Sequence, residues 1–142
     1  MSLTTEKYYP FFLAAVAGCL WWYFSFLLPV DEKEFLAAAL SLGAVLTGFI
    51  ATAQAILMAL PNESAMGRIR STGYLPNLTS YIGTALYGGM LFCAVDLAGF
   101  FLLDSSKRLP VLFSVAWATI SVFAALSFFR VTSIMLKIMR HP

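Results

Sequence analysis

Four long apolar runs, at 8–30, 35–60, 74–103 and 109–136, occupy most of the chain and are separated by short polar segments. Hydrocarbon offers no water to backbone N–H and C=O groups, so an apolar run buried in it folds as a helix, which satisfies them internally. Each run reaches the roughly 20 residues that a rise of about 1.5 Å per residue needs to cross a bilayer core of ~30 Å. The chain is 61% hydrophobic and 11% charged, against roughly 45–50% and about 25% in soluble domains. The expected fold is all-α and integral to the membrane: one domain over residues 1–142, a four-transmembrane-helix bundle.

The first run differs from a secretory signal, because Trp21-Trp22-Tyr23-Phe24 and Phe26-Leu27-Leu28-Pro29-Val30 replace a small-x-small cleavage pattern. It reads as a retained helix with an interfacial aromatic cluster. Cys19 and Cys93 fall inside spans and in no CxxC pair, which points to small core residues and to neither a disulfide nor a metal site.

Four spans place both termini and the 61–73 loop on one side. That side carries Lys7, Arg68, Arg70, Lys137 and Arg140, with Arg130 close by, against Lys33, Lys107 and Arg108 on the other. The positive-inside rule therefore puts the termini in the cytoplasm. The outer connectors, around 31–34 and 104–108, are too short to organise anything. Asn62-Glu63-Ser64 and Asn77-Leu78-Thr79 match glycosylation acceptors, but in this topology both are chance matches.

The second run carries Ala37, Ser41, Ala44, Gly48, Ala51 and Ala55 in alternating steps of four and three. Small residues on one helix face permit close backbone approach, which drives helix association in lipid. The third run adds Gly83, Thr84, Ala85, Gly88, Gly89 and Cys93, with small-xxx-small pairs at Thr84–Gly88, Ala85–Gly89 and Gly89–Cys93, and the fourth adds Ser114, Ala118, Ser121 and Ala125. The second-run stripe is the leading oligomer seam, with Gly88 and Gly89 as further helix-packing positions. Ser and Thr at such sites usually bond the carbonyls of their own helix.

Gln54, Asp96 and Arg130 stand out among the polar groups inside the spans. A charge near the bilayer centre costs about 2.5–3.5 kcal/mol on insertion scales, so such residues are candidates for function. Gln54 and Arg130 lie at similar depth toward the cytoplasm and either pair, snorkel to headgroups, or line a pore. Asp96 is in the outer half, level with Ser41 and Gly43 and with Ser114 and Ala116, about 20 Å in depth from Arg130. Its carboxyl must be protonated, bonded to neighbouring groups or in contact with water. Two readings follow: a structural hydrogen bond between helices, or a cation-attracting position in a pathway.

Arg68, Arg70, Lys137 and Arg140 form a cytoplasmic basic patch for anionic lipid or an acidic cytosolic partner; His141 lies at the chain end. Direct nucleic-acid binding has no support in so small a patch. No cofactor and no metal is expected, and with one histidine and no cluster of nucleophile and base the chain does not read as an enzyme.

The small-residue second run, the basic loop ending Arg68-Ile69-Arg70-Ser71-Thr72-Gly73-Tyr74-Leu75, and a third run through Leu91-Phe92-Cys93-Ala94-Val95-Asp96 to Phe101-Leu102-Leu103 resemble the RexB-type phage-exclusion proteins. The resemblance covers about 35–103 and implies a four-helix inner-membrane protein that depolarises an infected cell by passing ions. The acidic position does not share the family's spacing from Gly-Tyr, so it transfers no role to Asp96. The architecture is also similar to the membrane subunit of Kiwa-type antiphage systems, which works with a soluble effector; no motif carries that analogy. The functional expectation is a homo-oligomeric bacterial inner-membrane protein of antiphage defence, either an ion-conducting effector or a sensor and anchor for a cytosolic effector. Its rival is a passive scaffold in a larger membrane complex.

Overall fold

The computed structural model describes residues 3–26, 28–29, 31–59, 75–105 and 109–140. They form four helices: α1 (Leu3–Phe24), α2 (Glu32–Ala59), α3 (Leu75–Ser105) and α4 (Val111–Arg140). Apolar stretches over Glu32–Ala59, Pro76–Leu103 and Val111–Lys137 are long enough to cross a membrane. Large apolar side chains such as Leu42, Phe49, Tyr87, Phe101, Leu112 and Phe129 project outward on these three helices. A helix that is apolar all round is suited to lipid. The molecule is therefore an all-α four-helix bundle with three long apolar helices of membrane-spanning character.

The first helix is shorter than its apolar run suggests. Its apolar stretch, Tyr8–Phe24, measures about 25 Å at the α-helical rise, near the lower limit for a span. The cause is a C-terminal cap. Phe26 N–H donates to the Trp21 carbonyl (3.3 Å) and Ser25 N–H to the Trp22 carbonyl (3.2 Å), while Ser25 takes a left-handed conformation with φ 48°. This is the Schellman pattern, and the Trp21 and Phe26 rings, 5.4 Å apart, supply its usual apolar contact. Pro29 also disfavours helix in the residue before it.

Chain order does not match spatial order. The principal contacts are α1 on α4, α4 on α3 and α3 on α2. The helices thus run α1, α4, α3, α2 in space. Glycines set two of these contacts: a Cβ at Gly18 would fall on the Thr119 side chain, and one at Gly89 on Thr47. Both threonine hydroxyls donate within their own helices, Thr119 to Val115 (2.8 Å) and Thr47 to Gly43 (2.7 Å). Ser41, Thr52, Thr84 and Ser121 do the same, as expected for hydroxyls in spans.

Two apolar clusters hold the ends of the bundle. One gathers Ile50, Leu78, Tyr81, Ile82, Val131 and Ile134. The other gathers Leu28, Leu36 and Leu109 with Phe35, Phe113 and Trp117 against them. The segments that join α1 to α2 and α3 to α4 do more than their length suggests. Leu28 and Leu109 are buried there, Glu32 Oε2 accepts from Leu109 N–H (3.1 Å), and the Ser114 hydroxyl lies between the Val111 carbonyl of its own helix (2.8 Å) and the Phe26 carbonyl (3.3 Å). Glu32 and Glu34 also sit in the first turn of α2, where the helix dipole favours negative charge.

Cys19 and Cys93 are free thiols. Cys93 is half-buried, but Cys19 faces outward, because α1 meets its neighbour along Ala14 and Gly18.

Two outcomes follow. Ser25→Gly should raise the thermal midpoint in detergent, reflecting about 1 kcal/mol of relieved left-handed strain. Gly89→Val should destabilise by about 1–3 kcal/mol through overpacking against Thr47, whereas Gly48→Ala, whose added Cβ meets nothing within 4 Å, should leave the fold of the single chain unchanged.

Candidate functional site: a carboxyl behind an aromatic wall

On α3, residues 85, 89, 92, 96 and 99 fall on one face by their helical spacing. Asp96 is central in this row and fully buried, at 0% exposure. Its Oδ1 accepts a hydrogen bond from Trp117 Nε1–H at 2.7 Å. Its Oδ2 is buried and without a hydrogen-bond partner. Trp117 is held in turn by Phe35 of α2, with ring centroids 5.1 Å apart, and by Phe92 of α3 at 5.9 Å. Aromatic rings from α2, α3 and α4 thus meet at the indole that binds the carboxyl.

The depth count for Asp96 agrees with its neighbours to about one helical turn. Gly99, one turn outward, meets Leu36 and Phe113, while Gly43 meets Phe92 and Cys93. The missed partner is Trp117. The available signal was an indole N–H inside an apolar span, a donor that needs an acceptor, at the depth of the carboxylate.

Below this cluster an apolar groove runs between α2 and α4 along the face of α3. Its volume is about 410 Å³, and Phe35, Leu42, Gly89, Trp117, Ala124 and Phe128 are among the residues lining it. Trp117 is the partition between groove and carboxyl, because its ring lines the former and its Nε1–H binds the latter.

Arg130 is also buried, at 4% exposure, and its guanidinium lies over the Tyr81 ring at 4.3 Å. This cation–π contact takes the charge into the bundle, not outward along a snorkelling path. Gln54 is half-buried on α2, and the contact described for the guanidinium is with Tyr81 of α3.

The small-residue positions separate into two groups. Ala37, Ser41, Ala44, Gly48, Ala51 and Ala55 are all exposed. They form one flank of α2, beside the packed face of Leu36, Gly43 and Ile50 and away from the groove flank of Phe35, Leu42 and Leu46. Gly88 and Gly89 instead serve contacts within the chain, to Phe123 and Thr47.

Lys137 is exposed near the end of α4. Arg68 and Arg70, the 61–73 loop, Lys107, Arg108 and His141 lie outside the described residues, as do the side chains of Lys7 and Arg140. Among the described residues no group of three His, Cys, Asp or Glu side chains converges.

Against protein-family models, curated proteins and solved structures, the chain has no match. The class of the molecule accordingly rests on its own fold: a multi-pass helical protein associated with the lipid bilayer.

The Asp96–Trp117 bond can be weighed by a double-mutant cycle. Asp96→Leu and Trp117→Phe, singly and together, should give a coupling of about 0.6–1.7 kcal/mol in detergent unfolding, the range of hydrogen bonds between membrane helices. A coupling of zero would mean that the pair adds nothing to stability.

Proposed function

We propose that this chain is a bacterial inner-membrane protein of antiphage defence that works as a homo-oligomer, with four helices crossing the bilayer and both termini in the cytoplasm. The defence role rests on the RexB-type resemblance over 35–103 and the architectural analogy to Kiwa membrane subunits. The assembly rests on one observation. Every residue of the α2 small-residue stripe is exposed in the single chain, while Gly88 and Gly89 of α3 are already used inside it. A face without bulk is of little use against lipid chains but allows a second helix backbone to approach closely.

Of the two forms of action, sensor and anchor for a cytosolic effector is the one that the interior favours. Asp96 and Arg130 are each buried against an aromatic side chain, an arrangement suited to structural polar contacts. An ion-conducting form would need its path at the seam between copies, along Ser41, Gly48 and Thr52. The chain has no enzymatic role in this reading. Lys137, Arg140, Arg68 and Arg70 meet anionic lipid or the acidic face of the cytosolic partner.

Gly48→Leu with Ala51→Leu separates assembly from folding, because an added Cβ at Gly48 meets nothing within 4 Å and Ala51 is exposed. The double variant should keep its helical circular dichroism but fall to monomer mass in light scattering, and lose protection in a plaque assay. A wild-type chain that is monomeric alone and stable only with another membrane subunit would favour the passive scaffold. Membrane potential followed by dye during phage challenge distinguishes the forms: it stays constant during protection for a sensor and collapses for a conducting effector.

A further inference from the structure

We propose that the groove between α2 and α4 is a binding site for an amphiphilic amine, whose hydrocarbon body fills the groove and whose ammonium head reaches Asp96. Three independent features converge on this chemistry. The groove, at about 410 Å³, falls in the size range of small-molecule sites, roughly 300–1,000 Å³. Its floor on α3 is made of the small residues Ala85 and Gly89, so it is deep enough to admit a chain between the helices. From Trp117 to Phe128 it extends for about 16 Å along α4, the length of an extended chain of about a dozen carbons.

The second feature is the carboxyl at its outer end. Asp96 continues the Ala85, Gly89, Phe92 row by one more turn, so it belongs to the same face of α3 that floors the groove. Its Oδ2 is buried and has no hydrogen-bond partner. A buried polar oxygen without a donor is costly, and a carboxyl inside a membrane protein marks a site that a cation or donor can complete.

The third feature is the wall. Phe35, Phe92 and Trp117 line the groove, with the two phenyl rings packed on the indole that binds the carboxyl, and aromatic faces attract ammonium groups, most strongly when desolvated. Trp117 is both wall and competitor, since its Nε1–H already occupies Oδ1. Rotation of the indole away from Oδ1 joins the carboxyl to the groove and lets the head group enter. The site is independent of the assembly seam, which occupies the other flank of α2.

The full chain in phosphatidylcholine nanodiscs, titrated calorimetrically with dodecylammonium and with empty discs subtracted, tests this. Wild type should show saturable binding at least tenfold tighter than for dodecanol. Asp96→Asn, which retains an acceptor for Trp117, should lose at least tenfold for dodecylammonium and leave dodecanol unchanged. Ala38→Trp blocks the groove from an exposed lining position and should abolish binding with circular dichroism intact. Trp117→Phe removes the competing donor and should tighten dodecylammonium severalfold. Equal binding of amine and alcohol, or indifference to Asp96→Asn, would show that the groove takes hydrocarbon whatever its head, as a bilayer lipid chain does, and overturns the proposal. Absence of saturable binding above empty discs overturns it too.

Discussion

Polar groups in the spans of this protein must find partners without water, and that constraint organises the interior. Backbone groups are satisfied in four helices, and hydroxyls such as those of Thr47, Thr119 and Ser121 turn back to carbonyls one turn earlier. With these hydroxyls satisfied locally, contact at their positions is left to shape. Thr47 against Gly89 and Thr119 against Gly18 are contacts of a branched side chain with a bare backbone, the kind of close approach that replaces the hydrophobic effect in lipid.

The two buried charged residues among those described follow the same logic with different outcomes. Arg130 lies over a π face, Tyr81, at 4.3 Å. Asp96 accepts one hydrogen bond from Trp117 and keeps a second oxygen unpartnered. Each is joined across a helix interface between α3 and α4, so the polar contacts also fix which helices are neighbours and at what height. Because Trp117 also packs on Phe35 of α2, α2, α3 and α4 are tied together at this level through one indole.

Helix α2 shows how one element can carry three tasks. Its packed face holds α3, one flank opens on the groove, and the other presents small residues outward. The angular separation of about 100° per residue keeps these faces distinct, so a change on the seam need not disturb the groove.

The apolar runs near 35–60, 74–103 and 109–136 were legible because length and hydropathy are local properties, and the helices match them within a few residues. The run at 8–30 was misleading at its end. Hydropathy does not register a left-handed cap, and the serine at position 25 lacks the glycine signature that usually marks one. The height of Asp96 was also legible, since rise per residue is constant. The partners of the buried polar groups were not. Depth gives a level in the membrane but not an azimuth, and only packing decided that Arg130 meets Tyr81, that Asp96 meets Trp117, and that the segments between helices contribute Leu28 and Leu109 to a buried cluster. Likewise the periodicity of small residues established by itself that α2 and α3 have faces built for close approach. Whether such a face is spent inside the chain, as at Gly89, or left open, as at Gly48, depends on the spatial order of the helices, which arises from contacts between segments far apart in sequence.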